Sequence, residues 1–406
     1  MSFAALPLHA ALIQRLAQLN YQQPTPIQLQ AIPGIIEGKD VMAGAQTGTG
    51  KTAAFALPLI HRWLQHNEQP KSPQVLVLAP TRELAQQVNA SFEQYAQGTE
   101  LKTIALTGGN SQQAQAEQLR LGIDIVIATP GRLLDHLRKR TISFDGLKTL
   151  VLDEADRMLD MGFQDEITDV LKRLPAQRQT LLFTATVDER MSRFGRRLLR
   201  SPQVIEIAPR NTTAAMIHER IYNVDPNKKT ALLCHLIKQE GWQQTVVFSR
   251  KRQDADKVAK QMQQAGIHAE AFHADLTQSA RESVLAQFRR GEITALIATD
   301  VAARGLDIDA LNYVVNMELP FRGEDYVHRI GRTGRAGNEG HAITLLSVDD
   351  EPLLIKLEAL LDRRLPQQWY PGFEPDLTQV APTTRKTKRG ALKQQARKKA
   401  LAKHRR

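Results

Sequence analysis

The chain reads as an α/β protein of two tandem domains, each a parallel sheet flanked by helices, with a short basic C-terminal tail. Three observations predict this. Short apolar runs alternate with amphipathic segments for most of the length, which is the pattern of strands buried on both faces between crossover helices. The alternation pauses once, at APRNTTAAM (208–216), and then restarts. At 406 residues, 42% of them hydrophobic, the chain exceeds one ordinary core but can fill two.

Taken in order, the first-half runs are DVMAG (40–44), QVLVLAP (74–80), KTIALTGG (102–109), DIVIATP (124–130), TLVLDEAD (149–156) and TLLFTAT (180–186). Segments of helical period, such as RELAQQVNASFEQYA (82–96), separate most of them. After the pause come RIYNV, TVVFS, AEAFHA, TALIATD, YVVNM and AITLLS, again with helical stretches between. The domains expected are 1–208 and 218–365, joined by a linker at 209–217 and followed by a tail at 366–406 expected to be disordered.

Composition excludes several classes. No run reaches the ~18 apolar residues of a spanning helix, and MSFAALPLHA lacks a signal peptide's charged start and long apolar stretch, so the expectation is a cytoplasmic protein without membrane contact. The single cysteine, Cys234 in ALLCHLI, rules out an internal disulfide or a multi-cysteine metal site and reads as a small apolar residue on a buried helix face. His273 and His341 stand without ligand partners at metal spacing and read as structural.

The net charge of +11 is concentrated in one place. Residues 383–406 hold eleven Lys and Arg and no Asp or Glu, and without them the basic and acidic residues balance at 43 each. Such a segment suits contact with nucleic-acid phosphates through counterion release; otherwise it is a solubilising tail.

In open α/β sheets, ligands bind beyond the carboxyl ends of the strands. Several of the runs end there in polar or Gly-rich clusters: AQTGTGKT, PTRELA, TGG, TPGR, DEAD, TAT and ATDVAARGLD. In AQTGTGKT, Gly48 and Gly50 let backbone N–H groups approach an anion, Lys51 can reach outer phosphates and Thr52 can ligate Mg²⁺. The strict phosphate-loop pattern has Gly where this chain has Ala45. A metal-holding carboxylate should end another strand of the same domain, and Asp153 does; Glu154 beside it can orient or deprotonate a water. The pairing also explains three carboxylates at the mouth of an apolar strand: a cation and a bound triphosphate are what they face.

Together these motifs resemble, in order from about Phe3 to the Arg364 region, those of the DEAD-box RNA helicases, superfamily 2 ATPases with two RecA-like domains; the finer likeness is to the bacterial RhlE-like group. The resemblance implies ATP and Mg²⁺ as cofactors and RNA as partner, as single strands and short duplexes bound largely independently of sequence, with ribonucleoprotein complexes as further targets and a monomeric state. It places nucleotide contacts at Gln46, Thr47, Gly48, Thr49, Gly50, Lys51 and Thr52. YQQPTPIQ looks like the family's adenine-reading motif, with Gln28 reading the base edge, Tyr21 stacking on the ring and Phe3 as the upstream aromatic. Asn20 stands where the family usually has Gly.

The same resemblance assigns RNA contacts to Pro80, Thr81, Arg82, Gly108, Gly109, Thr129, Pro130, Gly131 and Arg132, and, in the second domain, to Ser249, Arg250, Gln278, Arg281, Thr299 and Asp300. Small, hydroxyl and Arg residues of this kind suit backbone and 2′-OH contacts. In HRIGRTGR, His328, Arg332 and Arg335 fall at i, i+4 and i+7, which on a helix is one side; the family gives both arginines a charge-stabilising role at the γ-phosphate. Asp307 looks like the residue that reaches the ribose. Thr184-Ala185-Thr186 replaces the usual Ser-Ala-Thr, whose hydroxyls link to the last acid of DEAD, here Asp156, and couple hydrolysis to unwinding. The implied activity is RNA-stimulated ATP hydrolysis with local unwinding. A DNA-directed helicase of the same superfamily and an ATP-gated RNA clamp or annealing chaperone are the competing readings.

Overall fold

A computed structural model describes residues 2–45, 48–65, 72–185, 187–207, 217–303, 311–334 and 339–376. Gln46, Thr47, Thr186, Asp307, Arg335, the linker up to residue 216 and residues 377–406, all named above, lie outside the described residues; Ile217, counted to the linker, opens the strand Ile217–Asn223. The chain divides into two compact units, each built on one seven-stranded parallel sheet.

In the first unit the strands are β1 (Val41–Gly44), β2 (Val75–Leu78), β3 (Thr103–Leu106), β4 (Ile125–Ala128), β5 (Thr149–Leu152), β6 (Gln179–Thr184) and β7 (Gln203–Glu206), in sheet order β3-β4-β2-β5-β6-β1-β7. Alternate residues of the apolar runs go to opposite faces, as the two-residue strand period requires. Val77, Ile127, Val151, Leu181 and Phe183 join one core, while Leu76, Val126, Leu150, Leu152 and Leu182 join the other. The first core is covered by α1 (Ala10–Gln18), α2 (Pro26–Ile36), α3 (Lys51–Gln65) and α4 (Arg82–Tyr95). Helices Pro130–Arg138, Ala155–Asp160, Gln164–Leu171 and Glu189–Leu198 cover the second.

The second unit repeats the plan with β8 (Ile217–Asn223), β9 (Thr245–Ser249), β10 (Ala269–Phe272), β11 (Ala295–Thr299), β12 (Tyr313–Asn316), β13 (Gly340–Leu346) and β14 (Gln367–Gln368), in order β10-β11-β9-β12-β13-β8-β14. Cys234 lies in its core on helix Lys229–Glu240, as its apolar surroundings led one to expect. Here the folded body runs beyond the boundary at 365 drawn from the sequence. β14 pairs with β8, Tyr370 and Phe373 pack edge-on to each other at 6.0 Å, and the Asp376 N–H reaches the Asp225 carboxylate at 3.0 Å. Among the described residues, no helix is long and apolar enough to cross a membrane.

Candidate nucleotide and RNA edge

Sheet order sorts the motifs of the first unit into two groups. β1, β6 and β5 are neighbours, so AQTGTGKT, TAT and DEAD emerge side by side; β2, β4 and β3 are neighbours, so PTRELA, TPGR and TGG emerge side by side.

In the first group, the phosphate-loop turn is fixed from below by Gln28. Its Oε1 accepts the Thr25 N–H at 2.9 Å and its Nε2 donates to the Gly50 carbonyl at 3.1 Å, so the residue predicted to read a base also braces the loop. An amide has a second N–H and a second lone pair beyond these two bonds. Gly50 adopts φ +87°, and a Cβ there would lie 2.4 Å from Gln28 Nε2; only Gly satisfies both conditions. Lys51, at the start of α3, is buried and donates to the Ala45 carbonyl at 2.8 Å, while Thr52 follows on the first turn.

Tyr21 is 37% exposed, with Phe3 edge-on at 6.4 Å and Tyr95 edge-on at 6.0 Å; the Tyr21 and Tyr95 hydroxyls are 3.2 Å apart. Phe3 is buried behind it, so Tyr21 is the ring available for stacking. Asn20 takes φ 60°, the left-handed conformation that explains why a Gly is usual there and why Asn can replace it.

Asp153 and Glu154 are both buried at the end of β5. Burial pushes the Asp153 carboxyl up to about 7, with the Lys51 ammonium pulling it down and Glu154 adding to the rise. Asp156 is likewise raised, chiefly by burial. A buried carboxylate at the end of β5 and a hydroxyl on the first turn of α3 are hard oxygen donors of the kind Mg²⁺ takes, so Asp153 and Thr52 fit that ion by chemistry. Glu154 sits at φ 50°, ψ 50°, a left-handed conformation costing a non-glycine residue about 1–2 kcal/mol, with Arg157 Nε 3.3 Å from its carboxylate. The Asp156 carboxylate accepts the backbone N–H of Ala185 at 3.1 Å. That bond between DEAD and TAT uses a main-chain donor and is indifferent to Ser or Thr at 184.

In the second group, Arg82 lies over the Gly108-Gly109 turn. A Cβ on Gly108 would come within 2.9 Å of the guanidinium and one on Gly109 within 2.4 Å, so the glycines make room for it. Thr81 caps α4, accepting the Leu84 N–H at 3.2 Å, and is buried with Pro80. Thr129 and Pro130 open helix Pro130–Arg138; Gly131 is exposed, and Arg132 reaches the Asn110 carbonyl at 2.9 Å.

In the second unit, Ser249 is fully buried, and Arg250 pairs with Asp350 at 3.2 Å while lying 5.1 Å from the Phe321 ring. Gln278 and Arg281, expected in the second domain, lie on helix Gln278–Arg289 and in the stretch Ala274–Leu285, which belongs to the first compact unit; Arg281 is buried. Thr299 is buried and Asp300 is held by Arg329, a residue the sequence reading passed over. Arg329 is 1% exposed; it donates to Asp300 at 2.6 and 2.7 Å, to Asn316 at 3.0 Å and to the Glu318 carbonyl at 2.8 Å. The one-sided helix expected for His328, Arg332 and Arg335 is corrected: helix Gly323–Ile330 stops before Arg332, which follows in a turn with its N–H on the Arg329 carbonyl. Residue spacing beyond Ile330 therefore says nothing about a shared face. His273 is paired with Asp256 at 2.9 Å and His341 stacks on Tyr313 at 5.1 Å; among the described residues no cluster could hold a metal through His, Cys, Asp and Glu alone.

The chain matches the DEAD/DEAH box helicase family over residues 25–194 and the helicase conserved C-terminal domain over 228–337. It is 42% identical over 372 residues to the ATP-dependent RNA helicase CshA of Listeria monocytogenes, covering 92% of this chain and 71% of that one. It is 39% identical to the DEAD-box ATP-dependent RNA helicase RhpA of Helicobacter pylori, over 90% of this chain and 73% of that one. Among solved structures it resembles S. cerevisiae Dbp5 bound to RNA and ADP BeF3, at a TM-score of 0.81 and 27% identity over 92% of this chain and 95% of that one. Mss116p bound to ssRNA and AMP-PNP is similar at a TM-score of 0.80 and 27% identity, over 91% and 80%.

Proposed function

Because this chain belongs to the DEAD/DEAH box helicase family, within which its relatives are ATP-dependent RNA helicases, we propose that the first unit divides one sheet edge between two substrates. ATP lies over β1, β6 and β5, and RNA over β2, β4 and β3. The single observation that supports this reading is the sheet order, in which the proposed phosphate motifs of the first unit that end strands fall on β1, β6 and β5 and its proposed RNA motifs on β2, β4 and β3.

Gln28 and Tyr21 hold the adenine, with Phe3 behind the ring. Backbone N–H groups from Gln46 to Gly50 and the Lys51 ammonium take the phosphates. Thr52 and Asp153 would hold Mg²⁺, which would supply neutralising charge to the phosphates. Glu154 orients or deprotonates the attacking water, and Arg332 and Arg335 offset the negative charge that grows at the γ-phosphate. Asp307 reaches the ribose. On the RNA side, Arg82 and Arg132 and the small residues around them take the backbone without reading bases. Asp156 joins DEAD to TAT through the Ala185 N–H, and β5 adjoins β2 in the sheet, so a change among the nucleotide motifs borders the RNA group. RNA thereby accelerates hydrolysis, and short duplexes or ribonucleoprotein contacts are opened locally.

A clamp that grips RNA without separating strands would use the same site. A labelled short RNA duplex incubated with the chain separates the two: displacement with ATP but much less with a non-hydrolysable analogue is expected of the helicase, whereas retention of RNA with either nucleotide and no displacement marks the clamp.

A further inference from the structure

We propose that Gln115, with His136 behind it, is a positioning residue for RNA that sets the Thr107–Asn110 turn and Arg132 in one fixed geometry. This rests on the RNA reading of the β2-β4-β3 edge given above. Helix Gln112–Arg120, QQAQAEQLR, is mostly polar, and Gln115 is its one buried residue. Burying an amide is unfavourable unless its groups are bonded, and here they are. Its Nε2 donates to the Thr107 carbonyl at 3.1 Å, and its Oε1 accepts from Arg132 Nη1 at 2.8 Å and from His136 Nε2 at 3.1 Å.

The donors and acceptors fix the amide. A carbonyl only accepts and a guanidinium only donates, so the amide has one orientation. Oε1 then requires Nε2 of His136 to carry a proton, while Nδ1 lies 2.7 Å from Thr141 Oγ1, whose hydroxyl also lies within 3.1 Å of the His136 carbonyl. Burial holds the His136 pKa below its ordinary value. Arg132 Nη1 also donates to the Asn110 carbonyl at 2.9 Å. Both ends of the turn that carries Gly108 and Gly109 are thus tied to one amide, directly at Thr107 and through Arg132 at Asn110. Among the described residues, Arg132 Nε and Nη2 carry no bond, leaving two donors for a phosphate oxygen.

The test is RNA-stimulated ATP hydrolysis by the full chain, titrated with single-stranded oligouridylate, for Gln115→Leu and Gln115→Glu beside wild type. Gln115→Leu removes all three bonds and should raise the KM for RNA by about tenfold while kcat at saturating RNA stays within about twofold. Gln115→Glu keeps the acceptors but loses the donor to Thr107, and should give a smaller rise; it also serves if the leucine variant fails to fold. A KM within about twofold of wild type in a variant that melts like wild type would overturn the proposal, as would kcat, affinity and melting temperature falling together. Wild type with no RNA dependence at all would instead overturn the RNA reading, and this inference with it.

Discussion

Gln28 Nε2 and the Gly50 carbonyl are 3.1 Å apart, and the space between them is what a side chain at position 50 would need. Gln28, proposed to read adenine, and the Gly50 turn are therefore one mechanical piece. Gly50→Ala should fold, since the site is local, but with φ +87° and a Cβ 2.4 Å from that nitrogen it should lower ATP affinity by tenfold or more. Titration with a fluorescent ATP analogue checks this; affinity equal to wild type would show the brace to be incidental.

Glu154 is held in a strained backbone conformation beside the acid that fits the metal. If it handles the water, Glu154→Gln should bind ATP as wild type does and lose roughly 10²–10⁴-fold in turnover. Near-normal phosphate release would remove the role.

Asp153 makes the fold less stable where the chemistry needs it ionised. Its folded-state pKa, pushed to about 7 from an ordinary 3.8, lies above that of the unfolded chain. The penalty is absent below the lower value, grows as pH rises between the two and is complete above the higher one. Asp153→Asn can still accept the Glu154 N–H, and in metal-free buffer it should melt above wild type at pH 8 by several degrees, with the gap closing toward pH 5. The scale is on the order of 2–4 kcal/mol. A gap that is constant with pH would mean Asp153 is not the titrating group.

How much of this the residues announce depends on who their partners are. The six strands of the first unit that were read correctly are buried on both faces or nearly so, and their apolar runs end in the motifs themselves. β7 was missed because as an edge strand it leaves Val204 and Glu206 exposed, and β14 because two glutamines carry no apolar signal. The sites at the sheet edge were visible as residue types at strand ends. Gln115, His136 and Arg329 were not, because a buried polar group is defined by contacts from distant parts of the chain. The HRIGRTGR spacing misled because a helical period was extended past Gly331, where the helix has stopped.

Arg329 illustrates the consequence for stability. Its fork on Asp300 cannot be reproduced by a single ammonium, so Arg329→Lys should destabilise the second unit, and Arg329→Met, which leaves Asp300 without its counter-charge, should cost about 3–5 kcal/mol. Urea unfolding measures both; Asp300→Asn added to Arg329→Met should recover part of the loss.

The basic segment 383–406 offers a separate check on RNA affinity. Deleting it should weaken binding and flatten the dependence of log affinity on log salt, since fewer counterions are released. An unchanged slope would leave the segment without a phosphate-binding role.

The most direct measurement of the central claim is steady-state phosphate release by the purified chain with ATP and Mg²⁺, titrated with matched single-stranded RNA and DNA. A shared sheet edge predicts a slow basal rate raised many-fold by RNA and little by DNA. A rate that ignores RNA, or responds equally to both strands, would contradict it.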